Sequence, residues 1–173
     1  MPKKKFIWLF AMVCLVPVAL AQLVLTQGWF SAGASSKGKW LSEEVRLLPA
    51  VPASEPHWRL VYLAPSPCLQ HCQQVLSLMT QIHTALGRKQ DQLTLWVLSE
   101  QAPAQLQRPL QFQHNSGNIS GNSIGIGELV LVEHQGLALL QYAMPQELQQ
   151  LPLTGKAVMA DLQKLMKFDR GPV

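Results

Sequence analysis

Residues 6–25 read FIWLFAMVCLVPVALAQLVL, a run without one charged side chain. A helix of about 20 apolar residues is the length that crosses a hydrocarbon core ~30 Å thick. Lys3, Lys4 and Lys5 precede the run, so the positive-inside rule places Met1 in the cytoplasm and everything after about Trp29 across the membrane. Trp8 and Trp29 bracket the span as interfacial aromatics do. The rival reading is a cleaved signal peptide, because Ala19-Leu20-Ala21 ahead of Gln22 has the form of a cleavage site, with Pro17 upstream. The apolar run continues past that site through Leu23, Val24 and Leu25, which favours a retained anchor. Cys14 lies inside the run, without the small-residue setting of a lipidation site, and reads as an apolar filler.

The anchor also explains the charge. The net charge is +4, and the three lysines ahead of the span account for most of it. No later window carries a dense Lys/Arg cluster, which excludes nucleic-acid binding as a function class. The chain divides into 1–27, a cytoplasmic tail and transmembrane anchor, 28–57, a linker rich in Gly, Ser, Ala and Pro with one short strand around 45–48, and 58–170, a domain of ordinary size.

Within that domain, WRLVYLA at 58–64 is a β-rich apolar run suited to a buried strand. Ser66-Pro67 has the form of a helix start, with Ser as cap and Pro at the first helical position, which places Cys68 in the first turn. Val75, Leu76, Met79, Ile82 and Leu86 continue a helical stripe that Gly87 ends, with Arg88 and Lys89 beside it. LTLWVLS at 93–99 is a second strand. Residues 100–122 are polar, Gln-rich and Pro-punctuated and read as irregular with one short helix. ELVLVEH at 128–134 and GLALLQY at 136–142 form a hairpin turning at Gln135-Gly136. Residues 157–168 form a closing helix. Strand, helix, strand, irregular segment, hairpin and helix is the order of the α/β, thioredoxin-like fold, a central mixed sheet with helices on both faces.

The chemistry concentrates in Cys68-Leu69-Gln70-His71-Cys72. On a helix, residues four apart lie about 40° apart in azimuth with ~6 Å of rise, so both sulfurs face one way. Such a pair can close a disulfide after a small backbone adjustment or hold one soft metal ion. A helix N-terminus lowers the thiol pKa of Cys68 and so favours thiolate. The structural alternative is a stabilising disulfide or two packed thiols, although a bridge closing so small a loop constrains the unfolded chain little. His71 is near enough on the helix surface to join a metal site. His83 is 11 residues beyond Cys72, ~16 Å along the axis, and is not. His114 sits in the irregular segment, where it could fold back towards the cysteines. His134 is placed near the hairpin turn, and His57 in the linker.

The stretch VYLAPSPCLQHC, LVEHQG, LLQY, the closing ADLQKLMK and an anchor ending in Gly28-Trp29 together resemble the Sco/SenC family of copper-binding, thioredoxin-like proteins, and the short anchored members of gammaproteobacterial cytochrome c oxidase gene clusters in particular. The resemblance implies a single-pass protein of the bacterial inner membrane with its domain in the periplasm. It implies a lipid bilayer around residues 6–25, and a cytochrome c oxidase subunit or another assembly factor as partner. It also implies Cu(I) held by Cys68 and Cys72. The family's third ligand, a His shortly before the strand that aligns with 128–133, is replaced here by Ser123-Ile124-Gly125-Ile126-Gly127, leaving His71, His114 or an outside group to complete a site. The alternatives are a thiol–disulfide oxidoreductase, with Cys68 attacking and Cys72 resolving, and a non-catalytic accessory protein.

Overall fold

The apolar run that starts at Trp58 becomes strand β2 (Trp58–Leu63), and all six of its residues are buried. The structure is a computed structural model that describes residues 3–26, 36–52, 55–104, 106–115 and 124–168. The chain forms two compact units, Met1–Ser35 and Ser36–Val173.

The first unit holds helix α1 (Lys3–Thr26), with Pro17 inside it. The expected span at 6–25 lies on this helix, but the side chains at 6, 7, 9, 11, 21, 24 and 25 fall outside the described residues. Among the described residues no helix is long and apolar enough to cross a membrane.

The second unit is a six-stranded sheet in the order β1-β6-β5-β2-β3-β4. Its strands are β1 (Lys39–Trp40), β2, β3 (Leu93–Ser99), β4 (Leu110–His114), β5 (Glu128–Val132) and β6 (Ala138–Ala143). β2 pairs in parallel with β3, from Trp58↔Leu93 to Leu63↔Leu98, and antiparallel with β5. A strand hydrogen-bonded on both edges and covered on both faces is mostly apolar, and Arg59 is the exception in this one. The strand period of two then sends Trp58, Leu60 and Tyr62 to one face and Val61 and Leu63 to the other.

The first face is covered by α2 (Gln70–Ala85) and α3 (Leu151–Phe168). Helix α2 buries Cys72, Val75, Leu76, Leu78, Met79 and Ile82. It ends with Leu86 as C-cap, and Gly87 at φ +56° adopts the left-handed backbone that a residue past a helix end often takes. A 3-10 turn (Gly87–Gln92) leads on into β3.

Three expectations are corrected here. First, both helices of this unit lie on one face. The second face is covered by the segment expected as linker, whose Val45, Leu47 and Leu48 pack on Val61, Leu63, Val130 and Val132. The compact unit that holds the sheet takes in this segment, from Ser36 on. Second, the irregular segment contains strand β4, parallel to β3 from Leu95↔Leu110 to Ser99↔His114. LQFQH alternates over only five residues, a weak signal that becomes a strand because the free edge of β3 offers it a ladder. The short helix expected there is absent among the described residues. Third, α3 starts at Leu151, six residues earlier than expected. Pro152 falls in the first turn, where no N–H is required, and Gly155 lets the helices approach, since a Cβ there would lie 2.7 Å from Leu78 Cδ1.

Two buried charged groups tie the periphery to the sheet. Arg59 donates to the Pro49 carbonyl at 2.7 Å and to those of Glu133 and His134 at 2.6 and 3.0 Å. Burial lowers its pKa, offset by the charges of Glu55 and Glu133. On α3, Asp161 Oδ2 accepts from the backbone N–H groups of Lys37 and Gly38 at 2.7 and 2.8 Å and from the Tyr142 hydroxyl at 3.0 Å.

The hairpin turn works as expected. Gly136 N–H donates to the Glu133 carbonyl, and Gly136 sits at φ +88°. Any side chain there is strained, and its Cβ would lie inside contact distance of the Leu48 carbonyl. Gly136→Ala should therefore cost about 2–4 kcal/mol in urea unfolding of the full chain in detergent. Gly125→Ala, whose Cβ would meet Glu128 at an ordinary 3.5 Å, should stay within about 1 kcal/mol of the parent.

The chain has two tyrosines, and both are buried. Burial pushes the Tyr62 phenol up to about 12. Burial, with the Asp161 charge and hydrogen bond, pushes that of Tyr142 further. The unfolded chain ionises near pH 10 while the folded one stays protonated, so stability present below pH 10 drains away as pH rises through 10 to 12. Tyrosinate absorbance should appear only together with unfolding in an alkaline titration. A tyrosinate signal from the folded protein near pH 10 would contradict this.

Candidate functional site

The cysteine pair is positioned by the carboxyl end of β2. Ala64 N–H donates to the Leu98 carbonyl at 2.8 Å and Gly127 N–H to that of Leu63 at 2.7 Å. These bonds fix the strand end between β3 and the loop ahead of β5. The chain then crosses Ser66-Pro67, a cis peptide, and reaches Cys68, Leu69 and the start of α2.

Cys68 and Cys72 form a disulfide with Cα atoms 5.2 Å apart. Cys68 is not in the first helical turn. Leu69 is the N-cap, extended at φ −82° and ψ −171°, so Cys68 precedes the helix by two residues and Cys72 is its third residue. The physical reason is distance. Helical neighbours four apart hold their Cβ atoms about 5–6 Å apart, whereas a disulfide needs about 3.8 Å. The bridge therefore requires one cysteine to leave helical backbone.

The two sulfurs are unequal. Cys72 is 1 % exposed and belongs to the main core. Cys68 is half-buried at the edge of that core, and the Gln73 Nε2 amide lies 3.6 Å from its sulfur. This inequality is of the kind the sequence reading expects of a pair in which Cys68 attacks and Cys72 resolves. Leu69 makes no side-chain cap hydrogen bond. The unpaired N–H groups of the first turn and the helix dipole therefore lie beside Cys68, where they stabilise a thiolate.

The histidines proposed to join the pair are placed elsewhere. His71 Nε2 donates to the Pro145 carbonyl at 2.8 Å, tying the first turn of α2 to the segment after β6. His114 is exposed at the end of β4 and pairs with Ser99. It sits at the same end of the sheet, but two strands from β2, roughly 10 Å across. Among the described residues no three His, Cys, Asp or Glu side chains converge to hold a metal. The Ile124-Gly125-Ile126-Gly127 stretch carries no donor side chain. Ile126 is 77 % exposed and Leu69, the α2 N-cap, 69 %, two large apolar side chains in the loops at this end of the sheet. No motif in the sequence marks them, because isolated Ile and Leu residues are read first as core.

A family model described as transmembrane-like, thioredoxin-like, C-terminal domain matches residues 58–169. Among solved structures, apo Sco1 from Thermus thermophilus is 15% identical with a TM-score of 0.52, covering 78% of this chain and 99% of that one. A protein described as a thiol:disulfide interchange protein DsbE from Chlorobium tepidum is 16% identical with a TM-score of 0.41, covering 73% and 99%. A protein described as a disulfide isomerase from Bacteroides thetaiotaomicron is 12% identical with a TM-score of 0.47, covering 77% and 89%. No curated protein sequence matches the chain. At these identities the likeness to Sco1 is one of fold.

The unequal burial generates a direct test. With Cys14→Ala in the background, Cys72→Ser leaves the Cys68 thiol and Cys68→Ser leaves the Cys72 thiol. Alkylation of the folded protein, followed by mass spectrometry, should be at least ~10-fold faster for Cys68. Equal rates would remove the assignment of roles.

Proposed function

The chain belongs to the transmembrane-like, thioredoxin-like C-terminal domain family, and on that premise we propose that it exchanges thiols and disulfides with a partner protein outside the cytoplasm. The observation that carries this reading is the asymmetry of the pair, a half-buried cysteine just ahead of a helix N-terminus linked to a fully buried one. In the forward step a partner thiolate attacks Cys68 Sγ, and the Cys68–Cys72 bond breaks with its electron pair going to Cys72. A second partner thiolate then attacks the partner's own sulfur in the mixed disulfide. The partner is oxidised by two electrons and this chain leaves as the dithiol. The reverse sequence, starting from the dithiol, reduces a partner disulfide.

Helix α1, carrying Lys3, Lys4 and Lys5 at its start, serves in this proposal as a single-pass inner-membrane anchor with the domain in the periplasm. That compartment allows the disulfide to persist. The partner proposed from the sequence resemblance is a cytochrome c oxidase subunit or another factor in its assembly.

A second reading, Cu(I) held by the reduced pair, is favoured by the same geometry. Two thiolates brought together by a four-residue spacing suit a soft ion that accepts low coordination. His71 is already engaged with Pro145, so the ion would be held by the two sulfurs.

One experiment on the full chain in detergent, with Cys14→Ala, separates these outcomes. Equilibration in glutathione buffers should give a reduction potential of about −120 to −270 mV, and Cys72→Ser should trap a mixed disulfide at Cys68 with a cysteine-bearing peptide. A potential below about −300 mV marks a structural bridge and overturns the exchange reading. Titration of the reduced protein with Cu(I) should give one ion per chain, lost in Cys68→Ser and in Cys72→Ser alike, if copper is the cargo. Binding that survives either change overturns the copper reading.

A further inference from the structure

At the end of the sheet opposite the cysteines, His57 immediately precedes β2 and His134 lies in the β5–β6 turn. Their facing nitrogens, His57 Nε2 and His134 Nδ1, are 3.1 Å apart. They are 77 positions apart in sequence, and neither belongs to a motif.

We propose that His57 and His134 together bind one divalent late first-row transition-metal ion, Cu(II) in preference to Ni(II) or Zn(II). Metal–imidazole bonds of about 2.0–2.1 Å spanning a 3.1 Å nitrogen separation subtend an angle of roughly 95–100° at the metal, between the square and tetrahedral values. The two rings already lie close together. Their centroids are 4.2 Å apart and their planes 41° from each other. An in-line N–H···N bond would hold the centroids about 5.4 Å apart. A shared metal ion would hold them about 4.8 Å apart, so the rings open by roughly 0.6 Å to admit it. The observed pair leans together and is not an in-line hydrogen bond.

The frame around the pair is rigid. The His134 carbonyl accepts from Arg59 and from Val51 N–H, and the His57 ring packs on Trp58 with centroids 5.2 Å apart. Both imidazoles are half-buried, which keeps water available to complete the coordination shell. Imidazole donors suit divalent copper, nickel and zinc, and copper stands highest in the general affinity order. Neither ligand is a thiol, so the proposal is independent of the role of Cys68 and Cys72. On binding, the proton between the two facing nitrogens moves to the far nitrogen of its ring or to solvent.

The test uses the full chain in detergent with its disulfide intact, titrated with CuCl2 and read by electron paramagnetic resonance and thermal unfolding. One equivalent should bind with hyperfine coupling from two imidazole nitrogens, and it should raise the melting temperature of the parent. His57→Gln and His134→Gln should each weaken binding at least ~10-fold and abolish the shift. His83→Gln should leave both unchanged. Coupling from one nitrogen or none in the parent, or binding that survives either substitution, overturns the proposal. The parent spectrum decides the matter even if a variant fails to fold.

Discussion

Every placement in the folded unit follows from the burial of β2. The strand gives up both edges to hydrogen bonds with β3 and β5, and both faces to side chains. None of its backbone or side-chain surface is left for water. Whatever joins its two ends must therefore collect at the ends of the sheet, where backbone N–H and carbonyl groups again need partners. The cysteine pair occupies one end, held by Leu63 and Ala64. The His57, Arg59 and His134 cluster occupies the other.

Burial of β2 on both sides demands two covering layers, and the chain supplies them unequally. Helices α2 and α3 cover one face. On the other, a short irregular segment brings in Val45, Leu47 and Leu48, and it is held down by polar contacts more than by regular structure. Arg59 bonds the carbonyls of Pro49, Glu133 and His134 in one fork, the planar multi-donor geometry that lysine lacks. Asp161 performs the complementary task at the other edge, collecting the Lys37 and Gly38 N–H groups and the Tyr142 hydroxyl. Removing one member of such a cluster leaves the others buried without partners, which costs more than the bonds themselves are worth.

The cysteine bridge and the helix compete for the same residues, and the bridge takes precedence. Helical spacing is too wide for the sulfur link, so the helix begins after Cys68 and its first N–H groups are left uncapped by side chains. Those free donors stabilise a thiolate. The backbone that allows the bond thus also sets the half-buried cysteine beside a helix N-terminus, a coupling of backbone geometry to chemistry that a C-x-x-x-C spacing does not display by itself.

Much of the fold was legible in the residues because the signals were local. The run at 58–64, the α2 stripe closed by Gly87, the 93–99 strand and the hairpin around Gly136 each follow from side-chain period or from one backbone position that only glycine tolerates. That Cys68 and Cys72 could meet was legible from their closeness in sequence, although Cys68 does so from outside the helix. What the sequence left undetermined depends on partners distant in the chain. LQFQH becomes β4 because β3 has a free edge. Residues 45–48 become a covering layer because Val61 and Val130 need one, and α3 runs through Pro152 and Gly155 because Leu78 fills the space at Gly155. His71 faces Pro145 and His57 meets His134 for the same reason. Local sequence determines what a segment prefers, and only the tertiary structure, by bringing distant groups within contact and hydrogen-bonding range, decided which preference was kept.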